Sequence, residues 1–153
     1  MKKIKSFEIN HDVLEKGLYV SRIDGDVVTY DVRMKKPNGG DYLGNAELHT
    51  LEHLLATFAR NSPLSDSVVY VGPMGCRTGF YVLLRNTVGP NEAISLLRRG
   101  FEFVRSFTGE IPGAQKRECG NYLEHDLDGA KKIAADMIDV LTDWNETKLT
   151  YKE

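Results

Sequence analysis

The sequence predicts an α+β fold in which an antiparallel β-sheet packs against helices in a single domain, residues 1–153. Two segments have the pattern of strand pairs joined by tight turns, and three segments have the apolar spacing of helices. These strand pairs and helices alternate along the chain, without internal repeats or linkers. A chain of 153 residues is long enough for one hydrophobic core and short for two.

The first part of the chain contains a predicted hairpin, a loop and a helix. Residues 18–34 are rich in β-branched and aromatic side chains on both sides of an Asp-Gly pair at 24–25, which predicts a hairpin. The segment 35–45 contains a proline and several glycines and is predicted to be a loop. Asn45 is the predicted N-cap of a helix that continues to about Arg60.

A second hairpin is predicted from two apolar, β-rich runs, 67–75 and 79–87. Its connection holds Cys76 between glycines that permit a sharply turned backbone, and the neighbouring Arg77 would favour a thiolate there. The alternative reading of Cys76 is a small buried hydrophobic residue at a strand end. The sequence around Cys76 therefore leaves a reactive and a structural role open.

The last part of the chain contains two more predicted helices. Residues 90–107 begin with a proline and continue with apolar residues at helical spacing, and a similar pattern extends from about Asp128 to Trp144. Between them, the polar segment 109–126 is predicted to be a loop, and it contains Cys119.

Composition and charge exclude several classes of protein. The net charge of −2 and the interspersed basic residues provide no positive field for nucleic acid, so no nucleic-acid partner is expected. No apolar run of signal-peptide or membrane-spanning length is present, so no membrane partner is expected and the cytoplasm is the expected compartment. In a reducing cytosol the two cysteines favour catalysis or metal binding over a disulfide, although one disulfide remains compatible with the sequence.

The stretch HTLEH, residues 49–53, places two histidines and a glutamate on one face of the predicted helix. At about 100° per residue, His53 lies about 40° from His49, and Glu52 lies about 60° from His49 on its other side. Histidines at i and i+4 can bring both imidazoles to one metal ion, and a glutamate beside them can move a proton without being a ligand. The alternative is a pair of surface or hydrogen-bonded histidines on an amphipathic helix.

A third donor is needed to complete such a metal site. The candidates, besides acidic residues, are His11, His125, Cys76 and Cys119. Cys119 is favoured because it lies in a polar segment beside a glycine, where a thiolate can turn toward an ion without disturbing a strand. Two histidines and one cysteine leave a fourth position open for water or substrate, as catalytic sites do. His125 is interpreted as a capping or hydrogen-bonded residue ahead of the last helix.

Five motifs, in this order and at these spacings, resemble the S-ribosylhomocysteine lyase family, LuxS. They are SFEINH (6–11), HTLEH (49–53), PMGCRTGFY (73–81), ECG (118–120) and HDLDGAKK (125–132). The resemblance extends from about Ser6 to Leu141. HxxEH alone is a weak signal, whereas the linked motifs are highly specific.

The resemblance implies a homodimer of small α+β subunits with a LuxS/metallopeptidase-like fold and with active sites at the dimer interface. It also implies cleavage of S-ribosylhomocysteine to homocysteine and 4,5-dihydroxy-2,3-pentanedione, the precursor of autoinducer-2. In the implied reaction, two proton-transfer isomerisations move the carbonyl along the ribose until a proton beside it can be lost and the thiol expelled. Protons leave and return on different carbons, which requires two acid/base groups.

The resemblance also assigns individual residues. The metal ligands of the family correspond to His49, His53 and Cys119. The two acid/base residues correspond to Glu52 and Cys76. The residues that contact substrate or line its pocket correspond to Ser6, His11, Arg33 and Arg60. Iron(II) is the native metal that the family implies, while imidazole and thiolate donors suit zinc and cobalt equally well.

One position departs from the family, and two other functions fit part of the pattern. Tyr70 stands where the family has an aspartate associated with substrate binding. H-x-x-E-H is also the inverted motif of a class of metallopeptidases, in which Glu118 or Glu124 would be the third ligand. A non-enzymatic module would instead close one tetrahedral metal site with His49, His53, Cys76 and Cys119.

Overall fold

The computed structural model describes residues 1–153 as a four-stranded antiparallel sheet with helices packed against it. The elements in chain order are α1 (Lys5–Glu8), β1 (Gly17–Asp24), β2 (Val27–Arg33), α2 (Asn45–Asn61), β3 (Val68–Pro73), β4 (Gly79–Arg85), α3 (Pro90–Ser106) and α4 (Leu127–Leu141). Short 3₁₀ turns form at Ser65–Ser67 and Glu146–Leu149. The predicted α+β class with an antiparallel sheet is confirmed.

The strand order of the sheet is β1-β2-β4-β3, so both predicted hairpins are present and β2 pairs with β4 between them. Cys76 lies in the β3–β4 connection, as predicted. The turn of the first hairpin is one residue later than predicted, because Asp24 already pairs with Val27. Gly25 then takes a φ of +59°, in the left-handed region that glycine enters without steric penalty.

The hydrophobic core lies between the sheet and the three long helices. Helix α2 packs on β3, α4 packs on β1, and α3 packs against both α2 and α4. Alternate residues of β2 and β4 point into this core, namely Val28, Tyr30, Val32, Phe80, Val82 and Leu84. None of the helices combines the length and the apolar character that crossing a membrane would require.

Two helix ends differ from the prediction. Helix α2 is capped by Gly44, one residue earlier than predicted, because the Glu47 carboxylate accepts a hydrogen bond from the Gly44 N–H at 2.8 Å. Helix α4 ends at Leu141, three residues before the predicted end, since Trp144 turns back to the sheet. Its indole Nε1 donates to the Leu18 carbonyl at 2.9 Å. The four-residue helix α1 was not predicted, because it is too short for a periodic pattern.

The second face of β2 is also buried. Asp31 and Arg33 alternate with the core residues of this strand, yet they are only 0% and 2% exposed. Tyr151 of the C-terminal segment donates a hydrogen bond to Asp31 Oδ2 at 2.6 Å, and its ring stacks on Tyr19 at 5.0 Å. The sheet therefore encloses a polar layer opposite the hydrophobic core.

Gly79 is required for the close approach of β4 to β2. It pairs with Arg33, and a Cβ at this position would lie 2.2 Å from the Val32 carbonyl oxygen. We expect Gly79→Ala to lower the free energy of unfolding by about 1–3 kcal/mol, as overpacking against rigid backbone does. Urea unfolding measures the change. Gly75→Ala is the matched control, since a Cβ there meets nothing within 4 Å. Equal stability of the two variants would contradict this account.

Candidate active site

Helix α2 carries the predicted metal and acid/base motif on its outer face. Buried side chains on its inner face, including Leu51, Leu54 and Leu55, fix the rotation of the helix about its own axis. The opposite face carries the half-buried side chains of His49, Glu52 and His53. Glu52 forms no salt bridge with any Lys, Arg or His. No basic side chain therefore neutralises its carboxylate.

Backbone carbonyls hold both histidines of the motif in the same tautomer. His49 Nδ1 lies 2.7 Å from the Glu124 carbonyl oxygen, and His53 Nδ1 lies 2.8 Å from the Pro112 carbonyl oxygen. A carbonyl can only accept, so each Nδ1 carries the hydrogen and each Nε2 keeps a free lone pair. The two ring planes are at 87°, with centroids 4.5 Å apart. Proteins orient metal-binding histidines by this kind of hydrogen bond.

Cys119 comes from the loop between α3 and α4 and points its sulfur at both free nitrogens. The Sγ atom lies 3.4 Å from His49 Nε2 and 3.9 Å from His53 Nε2. The backbone N–H of Asn121 donates to this sulfur at 3.4 Å, which fixes its direction. Two imidazole nitrogens and one sulfur thus converge, and this donor set fits a divalent metal ion with one open position.

His125 joins this cluster through a stacked ring. One ring nitrogen of each of His49, His53 and His125 lies within 4.8 Å of the others. The His125 ring is nearly parallel to that of His49, with a 17° angle between planes and centroids 4.1 Å apart. A metal ion binds an imidazole nitrogen along its lone pair, which lies in the ring plane. Because the rings of His49 and His125 are stacked, no position lies in both ring planes and close to a nitrogen of each. Cys119 therefore fits an ion bound by His49 and His53 better than His125 does.

The surroundings of His125 keep its ring neutral. The Thr50 hydroxyl donates to the backbone of its own helix. Its oxygen lies 3.0 Å from His125 Nδ1 and also accepts a hydrogen bond from the Asp126 N–H at 3.0 Å. Burial lowers the pKa of His125, and a positive charge on His49 or His53 would lower it further. The predicted hydrogen-bonded role is present, whereas the cap of α4 is Asp126. His125 Nε2 is buried without a hydrogen-bond partner.

Cys76 lies in a separate cavity of about 370 Å³. Its thiol is free and exposed, and the predicted substrate contact His11 lines the same cavity. None of the residues of the metal cluster on α2 lines it. Arg77 has a φ of +59° and turns its guanidinium toward the Leu43 carbonyl oxygen, 3.2 Å away. Arg77 also lines the cavity of Cys76, so its effect on the thiol stays a prediction.

Arg33 lies behind Cys76 rather than in the cavity wall. Its guanidinium donates to both carboxylate oxygens of Asp31, at 3.1 and 2.6 Å, and through Nη1 to Thr78 Oγ1 at 2.8 Å. Thr78 Oγ1 in turn lies 3.0 Å from Cys76 Sγ. Burial lowers the pKa of Arg33, but the hydrogen bond and charge of Asp31, followed by Cys76 and Tyr151, raise it overall. Arg33 is therefore a permanent buried cation.

The other two predicted substrate contacts lie away from Cys76 within one chain. Arg60 donates to the carbonyls of Val68 and Val69 at 2.9 and 3.0 Å. A register shift of β3 between Val68 and Tyr70 accompanies these bonds. Ser6 lines a different cavity, of about 180 Å³, between α1 and the sheet.

Comparison with known proteins gives the family. The family model described as S-ribosylhomocysteinase (LuxS) matches residues 4–148. The chain belongs to the LuxS family. This membership confirms the resemblance drawn from the sequence motifs.

Relatives of this LuxS chain match it over nearly their whole length. A protein of Clostridium acetobutylicum named S-ribosylhomocysteine lyase is 46% identical over 158 residues, which cover 100% of both chains. A protein of Porphyromonas gingivalis with the same name is 47% identical over 154 residues, 95% of this chain and 97% of its own. One of Borreliella afzelii, also so named, is 43% identical over 156 residues, 99% of each chain.

The two alternative functions find no support at this LuxS site. A metallopeptidase would need a glutamate as third ligand, but Glu118 is exposed and Glu124 contributes its backbone carbonyl to a histidine. A closed metal module would need Cys76 beside Cys119, but the Cys76 sulfur contacts Thr78 in a separate cavity.

Sequence reasoning missed the polar layer behind Cys76. A signal was available for part of it, because residues two apart in a strand face the same side, and Asp31 and Arg33 therefore form a natural ion pair. Thr78 shares the turn with Cys76, and nothing in the local sequence indicates its contact with the sulfur. Tyr151 has no local signal, since it reaches Asp31 from 120 residues away in the chain.

Proposed function

We propose that this protein cleaves S-ribosylhomocysteine to homocysteine and 4,5-dihydroxy-2,3-pentanedione. The names of its relatives give the substrate, and the products follow from the LuxS resemblance. The observation that carries the proposal is the convergence of two imidazole nitrogens and the Cys119 sulfur beside the unpaired Glu52. A metal site with an open position next to a free carboxylate suits proton transfer at carbons beside a carbonyl.

His49, His53 and Cys119 would hold the metal ion, through the two Nε2 atoms and the sulfur. When bound, such an ion supplies Lewis-acid stabilisation of negative charge on the sugar oxygens. We assign iron(II) as the native ion, with zinc or cobalt able to use the same donors. The carbonyls of Glu124 and Pro112 already orient both rings, so the rings need no rearrangement to bind it.

Glu52 and Cys76 are the proposed acid/base residues. Migration of the carbonyl requires a proton to be taken from one carbon and returned to its neighbour, and the elimination requires one further proton removal. The Glu52 carboxylate has no cationic partner to hold it, and the Cys76 thiol is exposed in its cavity. Each group is worth about 10²–10⁴ in rate on the usual scale of general acid/base catalysis.

The proposed active unit is a homodimer in which the Cys76 cavity of one subunit meets the metal cluster of the other. Within one chain, Cys76 and the metal cluster share no cavity. Two large apolar side chains are exposed: Phe7, four residues before His11 of the Cys76 cavity, is 69% exposed, and Leu123, two residues before His125, is 79% exposed. Apolar side chains exposed in this way favour burial against a partner. We propose that Cys76 of one subunit faces Glu52 of the other.

Mixed dimers test this arrangement. Each heterodimer of Cys76→Ala and Glu52→Gln subunits would contain one site with both defects and one intact site. These heterodimers are purified through two different affinity tags. We expect them to regain about half of the wild-type turnover, although each variant alone should lose a factor of about 10²–10⁴. Absence of any recovery in a verified heterodimer would place both residues in the site of a single chain.

The remaining predicted substrate contacts take different places in this proposal. His11 lines the cavity of Cys76 and would contact the sugar there. Ser6 and Arg60 lie elsewhere in the single chain, so they would reach the substrate only in the assembled dimer. Tyr70, at 54% exposure on β3, replaces a family aspartate and would alter the contacts at that end of the pocket.

The proposed cellular setting is the reducing cytoplasm, which keeps thiols such as Cys76 and Cys119 free. There the reaction would recycle homocysteine and supply the precursor of autoinducer-2. The activity is tested by incubating the metal-loaded protein with S-ribosylhomocysteine under anaerobic conditions. Homocysteine thiol and a trapped dicarbonyl should form in equal amounts. Thiol release without a dicarbonyl product would contradict the proposed elimination.

A further inference from the structure

A buried network of hydrogen-bonded polar groups extends from the C-terminal segment to Cys76. Tyr151 donates to Asp31 Oδ2 at 2.6 Å, and Asp31 binds the Arg33 guanidinium through both of its oxygens. Asp31, Arg33 and Thr78 are each no more than 2% exposed. An ion pair buried to this extent, in which every side-chain nitrogen and oxygen has a hydrogen-bond partner, has a single well-defined geometry.

The donor and acceptor groups of the side chains determine the direction of the last hydrogen bonds in this network. A guanidinium has only donors, so Thr78 Oγ1 must accept from Arg33 Nη1 at 2.8 Å. The hydroxyl hydrogen of Thr78 is then directed elsewhere, and Cys76 Sγ lies 3.0 Å from the same oxygen. A Cys76 thiolate has no hydrogen to donate, so the Thr78 hydroxyl donates to it, with a cation behind the hydroxyl that polarises the O–H bond.

We propose that Thr78 is the positioning residue that orients the Cys76 sulfur and stabilises its thiolate, with the Asp31–Arg33 pair directing the hydroxyl hydrogen toward it. The inference rests on the proposed acid/base role of Cys76 and adds a group that acts through it. Asp31 balances the charge of Arg33 and aims Nη1 at Thr78, while Thr78 provides the contact with sulfur. Cys76 itself stays exposed to substrate on its other side.

Alkylation of Cys76 by iodoacetamide tests this proposal without substrate. The metal-loaded protein is alkylated over a range of pH, and modification of the Cys76 peptide is followed by mass spectrometry so that Cys119 does not contribute. Thr78→Val and Thr78→Ala remove the donor, whereas Thr78→Ser keeps it. We expect the donor-free variants to react on the order of tenfold more slowly at pH 7, the scale of a hydrogen bond to a charged group, with Thr78→Ser close to wild type.

The pH profile separates positioning from a merely structural role. In the donor-free variants the rise of the alkylation rate should move to higher pH, and the metal content and urea midpoint confirm that the fold is intact. Equal rates in wild type, Thr78→Ala and Thr78→Ser would overturn the proposal, as would a Thr78→Ser variant as slow as Thr78→Ala. The comparison of Ala with Ser holds even if the valine variant does not fold. Because no substrate is present, failure here is distinct from failure of the proposed lyase activity.

Discussion

Replacement of Cys119 by alanine is expected to remove the metal ion and the lyase activity together. The sulfur is the third donor beside His49 Nε2 and His53 Nε2, at 3.4 and 3.9 Å, and without it only two imidazoles face the ion. We expect the metal content to fall from about one ion per chain to a small fraction of that, and His49→Ala and His53→Ala to behave in the same way. Elemental analysis after gel filtration measures the loss.

His125→Phe is the matched control for this prediction. Phenylalanine keeps an aromatic ring stacked on His49 but offers no nitrogen. A variant that retains its metal therefore supports two histidines and one cysteine as the metal ligands. The opposite result, in which His125→Phe loses the ion and Cys119→Ala keeps it, would make His125 the third ligand. It would also contradict the argument from the nearly parallel rings of His49 and His125.

Glu52→Gln is expected to leave the metal content unchanged and to lower turnover by about 10²–10⁴, the usual contribution of a general acid/base group. The amide has the shape of the carboxylate but cannot take up a proton. Since Glu52 forms no salt bridge, its replacement removes no ion pair that stabilises α2. Steady-state thiol release, normalised to bound metal, measures the effect.

Glu118→Gln is the companion variant for Glu52. Glu118 is exposed beside Cys119 and would be a ligand only in the metallopeptidase reading. We expect this variant to bind metal and to turn over as the wild type does. A Glu52→Gln variant that remains fully active would show that the proton passes through another group, and Glu52 would lose its assigned role.

The sequence alone predicted most of what local pattern determines. The amphipathic spacing of α2 places His49, Glu52 and His53 on one outward face, because the leucines between them must enter the core. The two hairpins follow from alternating apolar runs around glycine-containing turns, and Cys76 lies in the second turn as a consequence.

Features that depend on distant parts of the chain were not predictable in this way. Arg33 was expected at the substrate pocket, but its guanidinium is buried and pairs with Asp31, which also accepts a hydrogen bond from a C-terminal tyrosine. Arg60 was expected to contact substrate or line its pocket, and within one chain its guanidinium donates to carbonyls at the irregular start of β3. His125 meets the metal cluster only because its loop folds back onto Thr50. Thr50 lies 75 residues from His125, and Tyr151 lies 120 residues from Asp31, so no local sequence pattern indicates these contacts.

The most direct test of the account is anaerobic incubation of the metal-quantified protein with S-ribosylhomocysteine, beside a Cys76→Ala variant of equal metal content. Free thiol is followed with a chromogenic reagent. We expect thiol release by the wild type and a loss of turnover of about 10²–10⁴ in the variant, because the metal ion and its ligands alone cannot move the protons. No release from a fully metallated wild type, or undiminished release from Cys76→Ala, would contradict it.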